Sequence, residues 1–449
     1  MNHVIIAGAG ASGMCAAIAA ARSGAEVTLI ERTGLLGGSN TLSLVCPLMG
    51  FHAGGDQVVA GLAQEIVDRL GRRGGTLGHI PDPLGVAASI TPIEPEILKQ
   101  VYFELLRETP NLSLMLHTTL LSAQREQDRI TGITVQTESG RRFLSADVFI
   151  DATGDADLAA SAGIPFTFGR VSDGLAQPMT MVLRIGNVDL LRVRAFMKAH
   201  PDQFVLASNW EEIPYTAVSG FFDLVREARD KGILTFPRDR VLFFEGVHPG
   251  EVMVNMSRVI QCRSTEAEER THAELEGRRQ ADEILRFLRE QIVGFEQARL
   301  VETGMEIGIR ESRHVHGRYT LSEADILRAA VFEDSVAMCG FPIDIHDPQG
   351  KELYWDETQQ SRGYDIPFRV MLPEGLRNLL VTGRAISATH GAAASARITP
   401  TAMALGEAAG IAAALAENGN LETLDMKNLQ QQLLRARGIP GRRFLGSVG

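Results

Sequence analysis

Cysteine is scarce in this chain, and its four copies, Cys15, Cys46, Cys262 and Cys339, lie far apart. There is no CxxC pair and no ferredoxin-like cluster, so iron–sulfur, zinc and disulfide-reductase chemistry have no support. So few cysteines in 449 residues fit a reducing compartment, and a cytoplasmic location is expected. Basic charge is also short. Lys and Arg number 44 against 55 Asp and Glu, a net charge of −11. That balance argues against nonspecific nucleic-acid binding and adhesion to anionic membranes, although local basic pockets remain open to it. No segment reads as a bilayer span. Residues 4–21 are small and apolar like the core of an export signal, but no basic stretch precedes them and glycines interrupt them, so they read as the first fold unit. Internal repeats and low-complexity tracts are absent.

What is present begins at Val4. The run Val4-Ile5-Ile6-Ala7 reads as a strand and leads into Gly8-Ala9-Gly10-Ala11-Ser12-Gly13. An alanine-rich helix follows to about Ser23 and stops at Gly24. Val27 to Ile30 form a second strand with Glu31 at its end. This is the spacing that a dinucleotide needs. Gly8 permits the tight turn, Gly10 lets backbone approach a pyrophosphate, and Gly13 lets helix and strand pack closely. The helix N-terminus offers unpaired N–H groups to phosphates. Glu31 is expected to accept two hydrogen bonds from an adenosine ribose and would repel a 2′-phosphate.

Hydrophobic content of 45% and charged content of 22% describe an ordinary globular protein, long enough for two or three domains. Helices are expected at Leu62–Leu70 and from Pro95 to about Glu108, with a long Gly/Pro-rich loop over residues 71–92 between them. Strands are expected at 112–116, 120–124, 130–138 and 141–144, with Ser139-Gly140 as a hairpin turn, forming a β-meander. A buried strand, 146–150, leads to Asp151-Ala152-Thr153-Gly154-Asp155. A charged helix over 265–292 is expected to start with a Thr265/Glu268 capping box and end at Gly294, burying Leu275, Ile284, Leu285, Leu288 and Ile292. The last strand, 378–382, precedes Gly383-Arg384. A helix with Thr399 as N-cap and Pro400 at its first position runs through Ala416, and Gly406 and Gly410 leave one face bare. The cofactor domain is therefore expected to be discontinuous, residues 1–163 plus 374–449, with a substrate domain, 164–373, inserted between.

Three blocks of sequence resemble the FAD-dependent oxidoreductase family of the glutathione-reductase-like, two-dinucleotide-binding-domain fold. One is Glu31-Arg32-Thr33-Gly34-Leu35-Leu36-Gly37-Gly38-Ser39-Asn40, continuing the glycine motif, with Pro47-Leu48-Met49-Gly50 after it. Another is Asp151 through Asp157, continuing to Gln177-Pro178-Met179. The third is Asn378 through His390, continuing to Gly410. Gly308 through Arg313 and Pro342-Ile343-Asp344-Ile345-His346 also resemble this family. The resemblance implies an α/β fold with a Rossmann-like FAD-binding domain, a β-meander and an inserted mixed α/β substrate domain. It implies noncovalent FAD held at Gly8, Gly10, Ala11, Ser12, Gly13, Glu31, Arg32, Gly38 and Ser39. Further contacts are implied at Gly154, Asp155 and Gly383, and at the Leu120 backbone for the adenine. Where many members carry Gly-Asp after the last strand, this chain has Gly383-Arg384. Arg384 then touches phosphate or ribityl oxygens, leaves the contact to backbone, or sits on the surface.

Flavin carries the redox step, and the protein supplies position and charge. The helix opening at Thr399-Pro400-Thr401 is expected to aim its N-terminus at the flavin N1/O2 region. Arg310 and Arg313 are candidates to clamp a substrate carboxylate; the alternative for Arg310 is a structural pair with Glu306, Glu311 or another buried acid. His390 is expected near the isoalloxazine as acid or base, with His346 as second choice and a structural role as the alternative for either. Arg397 could reach flavin, substrate or a helix cap, and Tyr354 and Tyr364 are weaker candidates for a proton relay. His314 and His316 lack evident metal partners, so no metal site is expected. A second glycine motif is missing, so a tightly held NAD(P) site has no support. The expected reaction is hydride transfer between flavin N5 and a small, carboxylate-bearing organic substrate, dehydrogenation first. Its alternatives are ene reduction, redox-neutral flavin chemistry and a non-catalytic flavin-binding subunit. Oxygen, a quinone, a protein or NAD(P)H remains open as redox partner.

Overall fold

The computed structural model describes residues 1–349, the backbone of 353–355, and 362–446. A continuous apolar run builds β1 (His3–Ala7), the apolar residues Val27, Leu29 and Ile30 build β2 (Glu26–Ile30), and the small side chains of Ala11–Arg22 form α1 between them. Further strands are β3 (Leu112–Met115), β4 (Val148–Asp151) and β5 (Leu379–Val381). Together they make one parallel sheet in the order β5-β4-β1-β2-β3. The meander Thr119–Glu126, Arg129–Thr137 and Gly140–Leu144 stands as a separate antiparallel sheet.

A second antiparallel sheet has the order Ala217–Gly220, Val241–Glu245, Val252–Val254, Leu183–Gly186, Arg299–Thr303. It has its own apolar core, which includes Val241 and Phe243 from one face and Ala281, Ile284, Phe287 and Leu288 from the long helix Ala267–Gln291. Leu242 and Phe244 point to the opposite face, as period-two alternation requires.

The helix Thr399–Leu415, here α2, fastens the cofactor half together. A Cβ on Gly406 would lie 2.1 Å from the Ser12 carbonyl oxygen, and one on Gly410 would lie 2.2 Å from that of Ala16. The two helices thus pack backbone against backbone. With the helix His390–Ala396, α2 forms a bent pair apolar enough to pass as a membrane span by length and composition. Among the described residues no single helix is long and apolar enough to cross a membrane, and most of α2 is buried in the core.

Local departures from the sequence reading have local causes. The 71–92 stretch is not all loop. Ile80–Pro81 and Ser89–Thr91 pair in a small sheet that also takes in Leu48–Met49. Asp82 ties the turn between the first two by accepting the N–H groups of Leu84, Val86 and Ala87. The long helix starts at Ala267 without the Thr265/Glu268 box; Glu269 instead reaches back to the Arg263 N–H at 2.6 Å. Leu275 faces solvent, and Gly277 takes the packed position against Met181. The N-cap of α2 is Ile398, and Pro400 stands second in the helix.

Glu407 on α2 is buried, and its carboxyl accepts only the Leu62 N–H, at 3.2 and 3.3 Å. Burial raises its pKa from the ordinary 4.5 to about 8. Between those values the folded chain keeps a proton that the unfolded chain has lost. The contribution is full below 4.5 and is lost as pH rises toward 8, at about 1.4 kcal/mol per pH unit. Glu407→Gln keeps an acceptor for Leu62 and should flatten that slope in denaturant melts; an unchanged slope would place the titration elsewhere.

Candidate active site

One cavity of about 440 Å³ runs from the glycine turn to the second sheet. Its dinucleotide end is built by β1, α1 and β2. Gly8 sits at φ +95°, where a Cβ would strike the Ala152 carbonyl at 2.5 Å. A Cβ on Gly13 would meet the Gly8 oxygen at 1.9 Å, so this glycine serves packing and stays off the cavity wall. Gly10 is different. It has ordinary extended backbone, φ −66° and ψ 178°, and a Cβ there would find nothing nearer than the Gly38 Cα at 3.9 Å. The protein itself does not require glycine at position 10; a ligand lying against the turn would. No side chain caps α1, and Ala11 and Ser12 face the cavity with its first turn. A dinucleotide pyrophosphate fits this cradle.

Glu31, Arg32, Gly38, Ser39 and Leu120 line the same end. The Glu31 carboxylate already accepts from the Ala9 N–H at 2.8 Å and from the Thr33 N–H and hydroxyl at 2.9 and 3.0 Å. A carboxylate has about four acceptor positions, so one remains for a ribose hydroxyl rather than two. Arg32 is bound to Glu306 at 2.7 Å, and Arg270 reaches the same carboxylate at 2.7 Å.

Gly154, Asp155, Gly383 and Arg384 form the middle of the wall. Arg384 is not a surface arginine. It donates to Asp155 at 2.9 Å, and that charge outweighs burial to hold the Asp155 carboxyl below its ordinary range. The α2 N-terminus opens onto the cavity through Ile398, Thr399 and Ala402, with no side-chain cap. Thr399 accepts from Asn40 at 3.2 Å, whereas Thr401 is fully buried behind the wall, its hydroxyl unpartnered.

The far end carries Arg310, Arg397, Arg240, Asn255, Asp344 and His346. Arg310 donates to the Pro178 carbonyl, the Thr180 hydroxyl and the Asn255 side-chain oxygen. Among the described residues it has no carboxylate in ion-pair contact; Glu306 and Glu311 are engaged elsewhere. Burial first, then Arg397, Arg258 and Arg238, push its pKa well below the ordinary arginine value. Arg397 lies 3.9 Å from Asp344, and its Nε is buried without a partner. His346 meets Arg258 at Nδ1 and Asp344 at Nε2, each at 3.3 Å. Arginine can only donate, so Nδ1 accepts and Nε2–H points to Asp344. Burial and Arg310 keep His346 neutral, with a pKa of about 3. Burial opposes the Asp344 charge, but His346 and the arginines outweigh it and hold the carboxyl at about 2. With both nitrogens engaged, His346 positions Asp344 and has no lone pair left for substrate.

Besides Gly13 and Thr401, two expected catalytic residues are not on the cavity wall. Arg313 binds Asp157 at 2.8 Å and stacks on Phe166, so it forms no clamp with Arg310. Arg310 lies in the irregular segment before the strand Arg313–Val315, so the two arginines point different ways. His390 starts the helix before Arg397 but turns to Glu311, at 2.8 Å. Glu311 also faces His314 at 3.2 Å; these two contacts outweigh burial and hold its carboxyl at about 2. Tyr364 hydrogen-bonds Ser395 away from the cavity, and the Tyr354 side chain lies outside the described residues. Arg240 and Asn255 escaped the sequence reading. The charged triplet Arg238-Asp239-Arg240 before an apolar strand was the one local signal.

The sequence profile described as FAD dependent oxidoreductase matches residues 3–433. The chain belongs to this family. Membership makes it an oxidoreductase whose cofactor is FAD, and the Gly10 cradle and uncapped α1 suit that cofactor. No curated protein matches the chain. Among solved structures it is similar to a geranylgeranyl bacteriochlorophyll reductase-like protein from Thermoplasma acidophilum. Identity there is 12%, over 97% of this chain and 84% of that one, with a TM-score of 0.46. It is also similar to p-nitrophenol 4-monooxygenase from Pseudomonas putida DLL-E4, 13% identical over 71% and 70% of the two chains, TM-score 0.42. A third is the flavin-dependent halogenase CmlS, 14% identical over 97% and 62%, TM-score 0.47. None of these likenesses bears on substrate or reaction.

The two motif glycines should separate in experiment. Gly10→Ala should leave apoprotein stability within about 0.5 kcal/mol and weaken FAD binding at least tenfold. Gly13→Ala should cost the apoprotein about 1–3 kcal/mol by overpacking. Denaturant melts of apoprotein and FAD titration measure both, and equal destabilisation would contradict the assignment of Gly10 to the cofactor.

Proposed function

We propose that this protein transfers hydride between FAD and a small organic substrate that carries a carboxylate, with dehydrogenation the favoured direction. FAD, when bound, supplies the hydride acceptor at its N5. The observation that carries the reading is the far wall. The cavity that begins at the dinucleotide motif ends on Arg310 and Arg397, beside Asn255. Buried guanidinium groups with few counter-charges are suited to an anion, and a desolvated Arg–carboxylate contact fixes orientation as well as charge. The α2 N-terminus offers a positive dipole end to charge that develops on the cofactor during reduction.

In this reading residues 1–163 and 374–449 hold FAD in a glutathione-reductase-like arrangement, and 164–373 supply the substrate side in a cytoplasmic enzyme. Leu242, Phe244 and Met49 give that side an apolar flank, which excludes water beside the reacting carbon. Asp344, held in place by His346, orients Arg397. Ene reduction is the second reading, with Arg310, an arginine on the far wall of the cavity, as the group that faces the substrate in the role of proton donor.

Anaerobic mixing of the holoenzyme with small hydroxy acids, amino acids and enoates tests the reading. A donor that bleaches the flavin bands supports dehydrogenation; enoates that reoxidise reduced enzyme support the second reading. Arg310→Gln should slow flavin reduction by the best donor at least a hundredfold with flavin content kept. Arg313→Gln should lower stability through loss of the Asp157 pair and leave the reduction rate within about threefold. The reverse pattern would remove Arg310 from the substrate site.

A further inference from the structure

The far wall gathers guanidinium groups, two of which, Arg310 and Arg397, line the cavity and donate into it. Arg238 stands behind Arg240 and Arg310, buried, donating only to the carbonyls of Arg240 and Asn255. Arg258 completes the group beside His346. The carboxylates near these five guanidiniums are largely committed. Asp239 pairs with Arg240 at 2.6 Å, and Asp344 is shared between His346 and Arg397. Asp347 reaches Arg170 at 3.7 Å, and Glu311 is held by His314 and His390. Among the described residues, Arg238 and Arg310 have no carboxylate in ion-pair contact. Mutual repulsion adds to burial in pushing the pKa of both downward, that of Arg238 to about 9. A buried guanidinium without a carboxylate beside it, as at Arg310, is costly unless a ligand neutralises it.

The wall also has defined donors. Arg310 can only donate, so the Asn255 side-chain oxygen faces it at 3.1 Å and the Asn255 amide NH₂ is turned away. Asn255 lines the cavity, so that NH₂ is available to an acceptor beside Arg310. Arg397 lines the same end, with a buried Nε that has no hydrogen-bond partner among the described residues. Arg310 with Asn255, and Arg397, thus each offer donors to the same cavity.

We propose that the substrate is a dianion, a small dicarboxylate with one carboxylate on Arg310 and Asn255 and the other on Arg397. This rests on the reading of the cavity as a flavin substrate site. Arg310, which has no carboxylate in ion-pair contact among the described residues, and Arg397, which shares Asp344 with His346, meet the two ends of the ligand, and the apolar flank of Leu242 and Phe244 receives the carbon chain between them.

The test uses FAD-loaded enzyme and the series malonate, succinate, glutarate and adipate, each against its half-amide. Binding is read from the flavin difference spectrum, and reduction is followed anaerobically in the same cuvette. At least one dicarboxylate should bind tenfold or more tighter than its half-amide. Arg310→Gln and Arg397→Gln should each bring that ratio near one, with flavin content as the control for folding. Arg310→Lys, which keeps the charge, should retain part of the preference. Half-amides that bind as tightly as every diacid would overturn the dianion while leaving hydride transfer standing. So would fast flavin reduction by a monocarboxylate alone. Diacid-selective binding in which neither these acids nor their hydroxy and amino derivatives reduce the flavin would support the dianion and overturn the dehydrogenase reading.

Discussion

The structure depends on the contact between α1 and α2. Two helices can approach this closely only where side chains are missing, and Gly406 and Gly410 remove them opposite Ser12 and Ala16. The contact fixes more than stability. Each helix presents an uncapped N-terminus to the same cavity, one at the glycine turn and one at Thr399. The spacing of two dipole ends along one ligand is thereby set by helix packing, which deforms little. Loops carry the rest of the wall, but they hang from this pair.

Charge divides the cavity in a complementary way. At the dinucleotide end, arginines are already answered: Arg32 and Arg270 by Glu306, and Arg384 by Asp155. The far end keeps Arg310 unanswered and surrounds it with further arginines. A chain that is acidic overall thus concentrates its positive potential in one enclosed place. Field from buried groups is weakly screened, so it acts on what enters and little on the bulk surface.

Local patterns were legible in the sequence. The glycine spacing, Glu31, the meander and the Gly406/Gly410 face each follow from rules that act over a few residues, and each stands in the structure as an element or contact. Arg310 and Arg313 show where such reading stops. Their spacing suggested a common target, but the Phe166–Phe168 strand pairs with Arg313–Val315 and turns Arg313 toward Asp157. His390 was drawn away by Glu311 in the same manner. Arg240 and Asn255 flank the strands Val241–Glu245 and Val252–Val254 and reach the Arg310 end of the cavity only through tertiary folding, so no spacing could announce them. The helix start at Ala267 was missed because Glu269, rather than Glu268, reaches back over it.

The shared α1–α2 face also orders events during synthesis. The glycine turn, α1 and two strands of the parallel sheet emerge early, but β5 and α2 leave the ribosome only after the second sheet and its long helix. Until then the Ser12–Ala16–Ala20 face of α1 is bare and one edge of β4 has no neighbour. A nascent chain can therefore fold its middle first and close the cofactor half last, around a unit already formed. A chain that stops between the second sheet and α2 carries the glycine motif without the helix that packs against α1.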